Sequence, residues 1–213
     1  MQSLKKLAVK TYFRLKLVIF YIRNKHKYKR LEFKALIIKP LRIDGEKYIS
    51  LLGGVVVQAQ SWLYAQKIDG CEPELILNKG CIIGHYNHIA AVRRVVLGEH
   101  VLTADRVYIS DNTHEYENIH IPVMHQGAKL KSEVTIGEGS WIGENVCIIG
   151  AKIGKHCVIG ANAVVLDDIP DYSVAVGVPA RVAKQYNLAT GSWERVQAPG
   201  VAGPMNGPMN RRN

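Results

Sequence analysis

A polar segment at residues 111–116, with the sequence DNTHEY, contains the side chain best suited to acid–base chemistry, His114. An imidazole can accept a proton near neutral pH, and a nearby carboxylate could orient its ring or hold its tautomer. His120 and His125 follow in the same segment and are rivals for this role. Spacing alone does not single out His114, so the surrounding elements have to decide.

Metal and thiol chemistry find less support in the sequence. His85 and His88 could join a third histidine to hold a metal ion, as in the carbonic anhydrases that are built as β-helices, but no matching trio is evident and no metal is expected. The four cysteines, Cys71, Cys81, Cys147 and Cys157, show neither metal nor redox spacing. We expect reduced, structural thiols and a cytoplasmic protein.

Aliphatic residues recur at every sixth position, which is typical of a solenoid rather than of a helix or a long strand. We expect each to point into a narrow coil, with a second, small inward residue four positions later. Glycine directly after the aliphatic residue, as at Gly137 and Gly154, is expected to bend the chain at a corner. Four runs keep the six-residue step: Leu77, Ile83 and Ile89; Leu97, Thr103 and Ile109; Ile136, Ile142 and Ile148; and Ile153, Ile159 and Val165. Thr103 takes one aliphatic position, and the step from Ile148 to Ile153 is five residues. The small positions are Cys81, Val101, Val107, Ser140, Val146, Cys157 and Ala163.

This spacing predicts an all-β coil over residues 45–170, with three short strands per turn. Residues 110–133 abandon the repeat and are expected to form an inserted loop on the binding face. The sequence Asp-Ile-Pro-Asp at 168–171 ends the coil, because Pro170 blocks further strand pairing. A short cap over 171–196 and a disordered tail over 197–213 are expected to follow.

The amino-terminal segment is basic. Residues 1–30 hold ten of the 28 Lys and Arg residues and no acidic residue, so the remainder carries 18 charges of each sign. A nucleic-acid-binding protein would spread its basic residues over the folded domain, and no nucleic acid is expected as a partner. Residues 1–35 have helical periodicity, and their apolar run is too short to span a membrane. The helix is expected either to lie on an anionic membrane surface or to pack on the coil or a neighbouring subunit.

Taken together, the repeat, His114, the Trp-Ile-Gly sequence at 141–143 and the Gly-Val-Pro-Ala-Arg sequence at 177–181 resemble the hexapeptide-repeat acyltransferases. The resemblance covers roughly residues 49–185. It is greatest to the sugar O-acetyltransferase branch, which includes galactoside and maltose acetyltransferases and polysaccharide-modifying relatives. It implies a left-handed parallel β-helix, a homotrimer and acetyl-CoA as the acyl donor.

The resemblance also implies roles for individual residues. His114 would be the general base, and Trp141 would line the cleft for donor and acceptor. Asp111 and Asn87 are candidate acceptor contacts, although Asn87 falls on a small inward position and has a buried, internally bonded amide as its alternative. The expected contacts to CoA are Trp141, Gly143, Ala161, Arg181 and Lys184.

Two positions depart from the family pattern. Relatives often place a lysine near CoA where this chain has Asp167, and an asparagine for the acceptor near Ala90. These departures weaken the assignment of a simple galactoside or maltose acceptor more than the assignment of the donor.

We therefore predict O-acetylation of a sugar hydroxyl in surface-polysaccharide biosynthesis, at the inner membrane surface if residues 1–30 bind lipid. The alternatives are N-acylation of an amino sugar, O-acetylation of a small acceptor such as serine, and a non-catalytic trimeric scaffold.

Overall fold

The computed structural model describes residues 2–68 and 70–196. One helix, α1 (Gln2–Asn24), precedes a long series of short strands. Asn24 ends the helix by donating its side-chain N–H to the carbonyl oxygen of Phe20, 2.8 Å away. The tail predicted over 197–213 lies outside the described residues.

The strands come in groups of three, and each group makes one turn of a coil. The first two turns are β1 (Arg30–Leu31), β2 (Leu36–Ile37) and β3 (Arg42–Asp44), then β4 (Ile49–Leu51), β5 (Val56–Val57) and β6 (Trp62–Ala65). The next two are β7 (Glu74–Leu77), β8 (Ile82–Ile83) and β9 (His88–Ala91), then β10 (Arg94–Leu97), β11 (Leu102–Thr103) and β12 (Tyr108–Ser110). A hairpin of β13 (Asn112–His114) and β14 (Ala128–Leu130) interrupts the coil. The last two turns are β15 (Val134–Ile136), β16 (Trp141–Ile142) and β17 (Cys147–Ile149), then β18 (Lys152–Ile153), β19 (Val158–Ile159) and β20 (Val164–Val165).

Corresponding strands of successive turns pair in parallel and form the three sides of a prism. We name these sides sheet A (β1-β4-β7-β10-β15-β18), sheet B (β2-β5-β8-β11-β16-β19) and sheet C (β3-β6-β9-β12-β17-β20). The registers stack the aliphatic repeat residues above one another, as in Leu97, Ile136 and Ile153 of sheet A. These side chains are buried in the bore. The predicted coil of parallel strands is confirmed.

The ladders begin at Arg30, before the expected start of the coil at residue 45. The inward residues of the first turn, Leu31, Ile37 and Ile43, keep the six-residue spacing. Extra residues at the corner between sheets C and A place the next inward residue, Leu51, eight positions after Ile43, which hides the repeat in the sequence. The coil is therefore one turn longer than expected.

The corner glycines are required for close approach between turns. The backbone of Gly137 is not left-handed, but a Cβ there would lie 2.4 Å from the carbonyl carbon of Gly154 in the next turn. The left-handed residue comes two positions later, at Gly139 (φ 67°) and at His156 (φ 50°). The reason expected for these glycines was therefore wrong: they do not bend the chain but let backbone stack on backbone.

Small side chains fill the second inward position, as predicted. Cys81 and Cys157 are buried, and burial raises the pKa of the Cys81 thiol to about 11. The Ser140 hydroxyl donates to the Gly154 carbonyl oxygen and accepts from the backbone N–H of Cys157, both at 2.9 Å. Polar atoms in the bore are thus bonded internally, as burial requires.

Beyond the sixth turn, sheet B continues with β21 (Ser173–Val176), β22 (Arg181–Asn187) and β23 (Ser192–Arg195). β21 is still parallel to β19, and the next two strands run antiparallel. Between β21 and β22, residues 177–180 cross over the end of sheet C. There Val164 donates its N–H to the Gly177 carbonyl oxygen (3.1 Å), and Ala180 donates to the Val164 carbonyl oxygen (2.8 Å).

Helix α1 packs on the first turn of sheet B through one face, which includes Phe20 and Tyr21. On another face, Leu15, Val18 and Ile22 are exposed. The helix therefore docks on the coil and still presents apolar residues to its surroundings. Of the helices in the described residues, none is both long and apolar enough to cross a membrane.

Candidate functional site

The hairpin β13–β14 projects from the corner between sheets C and A. It leaves the coil after β12 of sheet C and returns to β15 of sheet A. Its two strands pair antiparallel, with His114 opposite Ala128. The position of His114 is therefore fixed by a ladder rather than by a free loop.

The ring of His114 is exposed and held in one orientation. Its Nδ1 lies 3.2 Å from the carbonyl oxygen of Gly127. A carbonyl oxygen can only accept, so this bond places the hydrogen of the neutral ring on Nδ1 and leaves the lone pair of Nε2 free. The group that orients the ring is thus a backbone carbonyl and not the carboxylate that the sequence suggested.

The two rival histidines lack such a partner. His120 and His125 are exposed, and within the described residues neither imidazole ring makes a hydrogen bond. Of the three, His114 is the one whose tautomer the fold selects.

The carboxylate of Asp111 is buried and bonded within the chain, in contrast to the acceptor contact expected of it. Its carboxylate is 0% exposed and accepts backbone N–H groups of Val92, Arg93 and Arg94 at 2.8–3.1 Å. It also accepts from the side chain of Asn112 at 3.0 Å. Asp111 therefore anchors the root of the hairpin to residues 92–94, at the corner of the preceding turn of the coil.

Asn87 is also unavailable to a substrate. It is 1% exposed, donates to the Ala104 carbonyl oxygen at 3.0 Å and accepts from the Val107 N–H at 2.8 Å. The inward position that the repeat assigns to residue 87 explains this, and of the two alternatives for Asn87 the buried, internally bonded amide holds and the acceptor contact does not.

A row of outward side chains runs along sheet B, and we call it the outer track. Trp141 is 48% exposed on this row, and Lys184 lies at its far end. Adjacent strands are about 4.8 Å apart, so three strand steps separate these two residues by about 14 Å. The outer track consists of Ile82, Leu102, Trp141, Val158, Val174 and Lys184.

A bulge in β22 brings two of the expected CoA contacts, Arg181 and Lys184, onto one face. Arg181 pairs with Val176 and Lys184 with Val174, and the register shifts between them. The bulge absorbs Ala183, so Arg181 and Lys184 are two ladder positions apart and point the same way. Arg181 also pairs with the exposed Asp167, its Nη1 lying 2.9 Å from Oδ2.

Gly143 and Ala161 stack at the next corner of the coil. A Cβ at Gly143 would lie 2.7 Å from the backbone nitrogen of Ala161. The lack of a side chain at Gly143 lets its backbone stack closely on the backbone of the next turn.

One chain does not bring His114 and the outer track together. The hairpin stands at the corner between sheets C and A, whereas Trp141 lies on sheet B, the opposite side of the prism. The six-residue repeat indicates this separation, because it assigns each residue to one side of the prism.

His85 and His88 contact other side chains of the coil. No three His, Cys, Asp or Glu side chains cluster suitably for a metal ion within 2–68 and 70–196. The Nδ1 of His85 lies 3.2 Å from Asp105 Oδ1, and His88 stacks on Trp62 with ring centroids 4.2 Å apart.

No protein-family model matches the chain, but named proteins do. A Mycobacterium tuberculosis protein named as an acetyltransferase is 44% identical over 114 residues, which is 53% of this chain and 37% of that protein. WbbJ of Escherichia coli, named as a lipopolysaccharide biosynthesis O-acetyl transferase, is 37% identical over 53% of this chain and 61% of its own length. The matches thus span about a third to three fifths of these relatives.

Among solved structures, the N-acyltransferase AntD from Bacillus cereus, in complex with dTDP and 3-hydroxybutyryl-CoA, superposes with a TM-score of 0.62. The alignment covers 74% of this chain and 83% of that one, at 18% sequence identity. At this identity the likeness concerns the fold. The chain is thus similar in sequence to proteins named as acetyltransferases and in fold to an N-acyltransferase, which confirms the resemblance drawn from its motifs.

Proposed function

We propose that the protein is an acetyl-CoA-dependent O-acetyltransferase that acts on a sugar hydroxyl, with His114 as general base. The observation that carries this proposal is the bond from the His114 ring to the Gly127 carbonyl oxygen, which leaves Nε2 as a free acceptor. A general base needs both an accessible lone pair and a fixed direction. This ring has both.

The proposed reaction is a direct transfer. Nε2 of His114 takes the proton of the acceptor hydroxyl as its oxygen attacks the carbonyl carbon of the acetyl thioester. The tetrahedral intermediate collapses with breakage of the C–S bond, and the imidazolium returns its proton to the CoA thiolate. The products are an acetyl ester and CoA, and the imidazole is neutral again.

The apolar surface and the charges of the outer track support the proposal that CoA binds there. Its upper part is apolar from Trp141 to Val174 and ends at Lys184, with Arg181 on the same face. We assign the pantetheine arm to the apolar part, beside Gly143 and the Ala161 corner, and the phosphates to the two cations. Binding has to compete with Asp167 for Arg181.

We propose that the active site lies between two copies of a left-handed coil in a homotrimer. His114 of one copy would then meet the outer track of the next, which a single chain cannot achieve because the two lie on opposite sides of the prism. The apolar residues Ile82 and Leu102 continue the track and are exposed in the single chain. Their exposure supports the proposal that a second copy covers this surface.

The test is complementation between two defective variants. We expect His114→Ala to lower CoA release from acetyl-CoA by about 10²–10⁴-fold and Lys184→Glu to raise the KM for acetyl-CoA. When the two are unfolded together and refolded, about a quarter of the sites in a random cyclic trimer combine both native halves. Recovery of activity supports a site shared between two copies.

The rival histidines are tested in the same assay. Full activity of His114→Ala, with loss in His120→Ala or His125→Ala, would contradict the role of His114.

The acceptor is proposed to be a sugar within a surface-polysaccharide intermediate, met at the cytoplasmic face of a membrane that α1 contacts. The basic residues and the exposed apolar face of α1 support this placement. A panel of hydroxyl sugars, amino sugars and serine with acetyl-CoA tests it. Preference for an amine would favour N-acylation, and lack of both CoA binding and turnover would favour a scaffold.

A further inference from the structure

A groove runs between α1 and the first turn of sheet B. Its volume is about 530 Å³, within the range of ligand pockets. The helix lines it with Tyr12, Ile19 and Phe20, and the strand side contributes Leu36 and Ile38. Because this surface is apolar, an apolar chain that replaced water there would bind favourably.

Three cations surround the groove. Lys16 and Arg23 are seven residues apart on α1 and so lie on one side of the helix, and Lys39 follows β2. Among the described residues that line the groove, none carries a carboxylate. None of the three cations forms a salt bridge with another residue in the described part of the chain.

We propose that this α1 groove binds one anionic lipid molecule, with an acyl chain along the apolar wall and the phosphate between Lys16, Arg23 and Lys39. Charge complementarity selects this occupant. A zwitterionic lipid would bring an ammonium group to three cations, and an uncharged chain would leave the cations without a counter-charge.

This binding differs from adsorption of α1 to a membrane surface. Adsorption would use every exposed basic and apolar residue of the helix, including Arg14 and Ile22, which do not line the groove. A groove site uses Lys16 and Ile19 instead. The groove is also on the first turn of the coil, whereas the His114 hairpin follows the fourth, so the inference does not depend on acetyl transfer.

The experiment uses the full chain and a lipid that dissolves as monomers, so that no membrane surface is present. Dioctanoyl phosphatidylglycerol, kept below its critical micelle concentration, is titrated by calorimetry. Dioctanoyl phosphatidylcholine and inorganic phosphate serve as comparisons. We expect saturable binding of phosphatidylglycerol at one molecule per chain and much weaker binding of both comparison ligands.

Matched variants test the placement. Lys16→Gln and Lys39→Gln should each weaken phosphatidylglycerol binding about fivefold, and Ile19→Glu should abolish it. The controls Arg14→Gln, Lys34→Gln and Ile22→Glu lie outside the groove and should bind as the unmodified chain does. Circular dichroism confirms that each variant is folded.

Several results would overturn the proposal. Equal binding of phosphatidylcholine, equal effects of Arg14→Gln and Lys16→Gln, or no binding at all would each exclude the site. If Ile19→Glu dissociates the oligomer and the unmodified chain binds no lipid, a second copy covers the groove instead. The proposed transferase activity is measured separately and can fail without affecting these outcomes.

Discussion

The buried carboxylate of Asp111 holds the root of the His114 hairpin to residues 92–94. Asp111→Asn keeps the shape of the side chain but replaces one acceptor oxygen by an NH₂ group that faces N–H donors of residues 92–94. We expect a loss of about 2–3 kcal/mol in the free energy of unfolding, because hydrogen bonds to a buried charged group are strong. Chemical denaturation measures it.

The exposed Asp167 provides a matched control. Its ion pair with Arg181 is open to solvent, and Asp167→Asn should cost less than about 1 kcal/mol. Equal effects of the two substitutions would show that Asp111 is not the anchor that its contacts indicate.

His88 should make stability depend on pH. Its ring is partly buried between Trp62 and Tyr108 on sheet C, and this desolvation lowers its pKa below the ordinary 6.5. The unfolded chain then binds a proton more readily than the folded one. The contribution of His88 is therefore complete above about pH 6.5 and is lost as the pH falls through the lower, folded pKa.

The variant His88→Phe keeps an aromatic ring in the stack and removes the titrating group. Urea unfolding at pH 7.5 and at pH 5.5 should show a smaller loss of stability in the variant than in the unmodified chain. An identical loss in both would mean that other groups account for the acid sensitivity.

The sequence predicted which residue types would form the site, but it did not predict the directions of their side chains. His114 could be chosen from its motif, whereas its partner, the Gly127 carbonyl oxygen, comes from a backbone pairing across the hairpin. Asp111 is a polar residue of the kind that often binds ligands, and only its burial shows that it has a structural role. Orientation depends on contacts between distant turns, which a local pattern does not contain.

At the scale of the strands and corners, the stacking of successive turns leaves no room for a Cβ. Gly137→Ala would place a methyl carbon 2.4 Å from the backbone of Gly154 and Lys155. We expect the turns to separate locally, at a cost of about 1–3 kcal/mol. Gly53→Ala is the control, because its Cβ would come no closer than 3.3 Å to the flexible side chain of Glu32. Similar denaturation midpoints for the two variants would contradict tight stacking.

The elements themselves were largely predictable because inward positions obey a strict spacing. The first turn was not predicted, because extra residues at the corner between sheets C and A separate Ile43 from Leu51 and interrupt the six-residue spacing. Every large insertion, including the His114 hairpin, enters at this same corner. Insertions there leave all three ladders in register, so the sequence pattern breaks while the coil continues.

At the scale of the whole molecule, the outer track exposes Ile82 and Leu102 side by side, at 45% and 43%. In the proposed trimer these residues would be covered, and each buried leucine is worth about 1.5–3 kcal/mol. Leu102→Glu should therefore dissociate the trimer in light scattering after gel filtration, and activity should fall with it. Leu166→Glu, exposed but off this track, should remain trimeric. A monomeric unmodified chain would contradict the assembly.

Residues 177–180 cross over β20 and cover the last strand of sheet C, which limits association with other chains. A stack of parallel strands that ends in free N–H and C=O groups is a template on which another chain can grow into a fibril. Both outward backbone groups of Val164 already form hydrogen bonds, the N–H with Gly177 and the carbonyl oxygen with Ala180. The sequence that resembles a family signature thus also terminates the stack, and it helps to keep the protein from polymerising end to end.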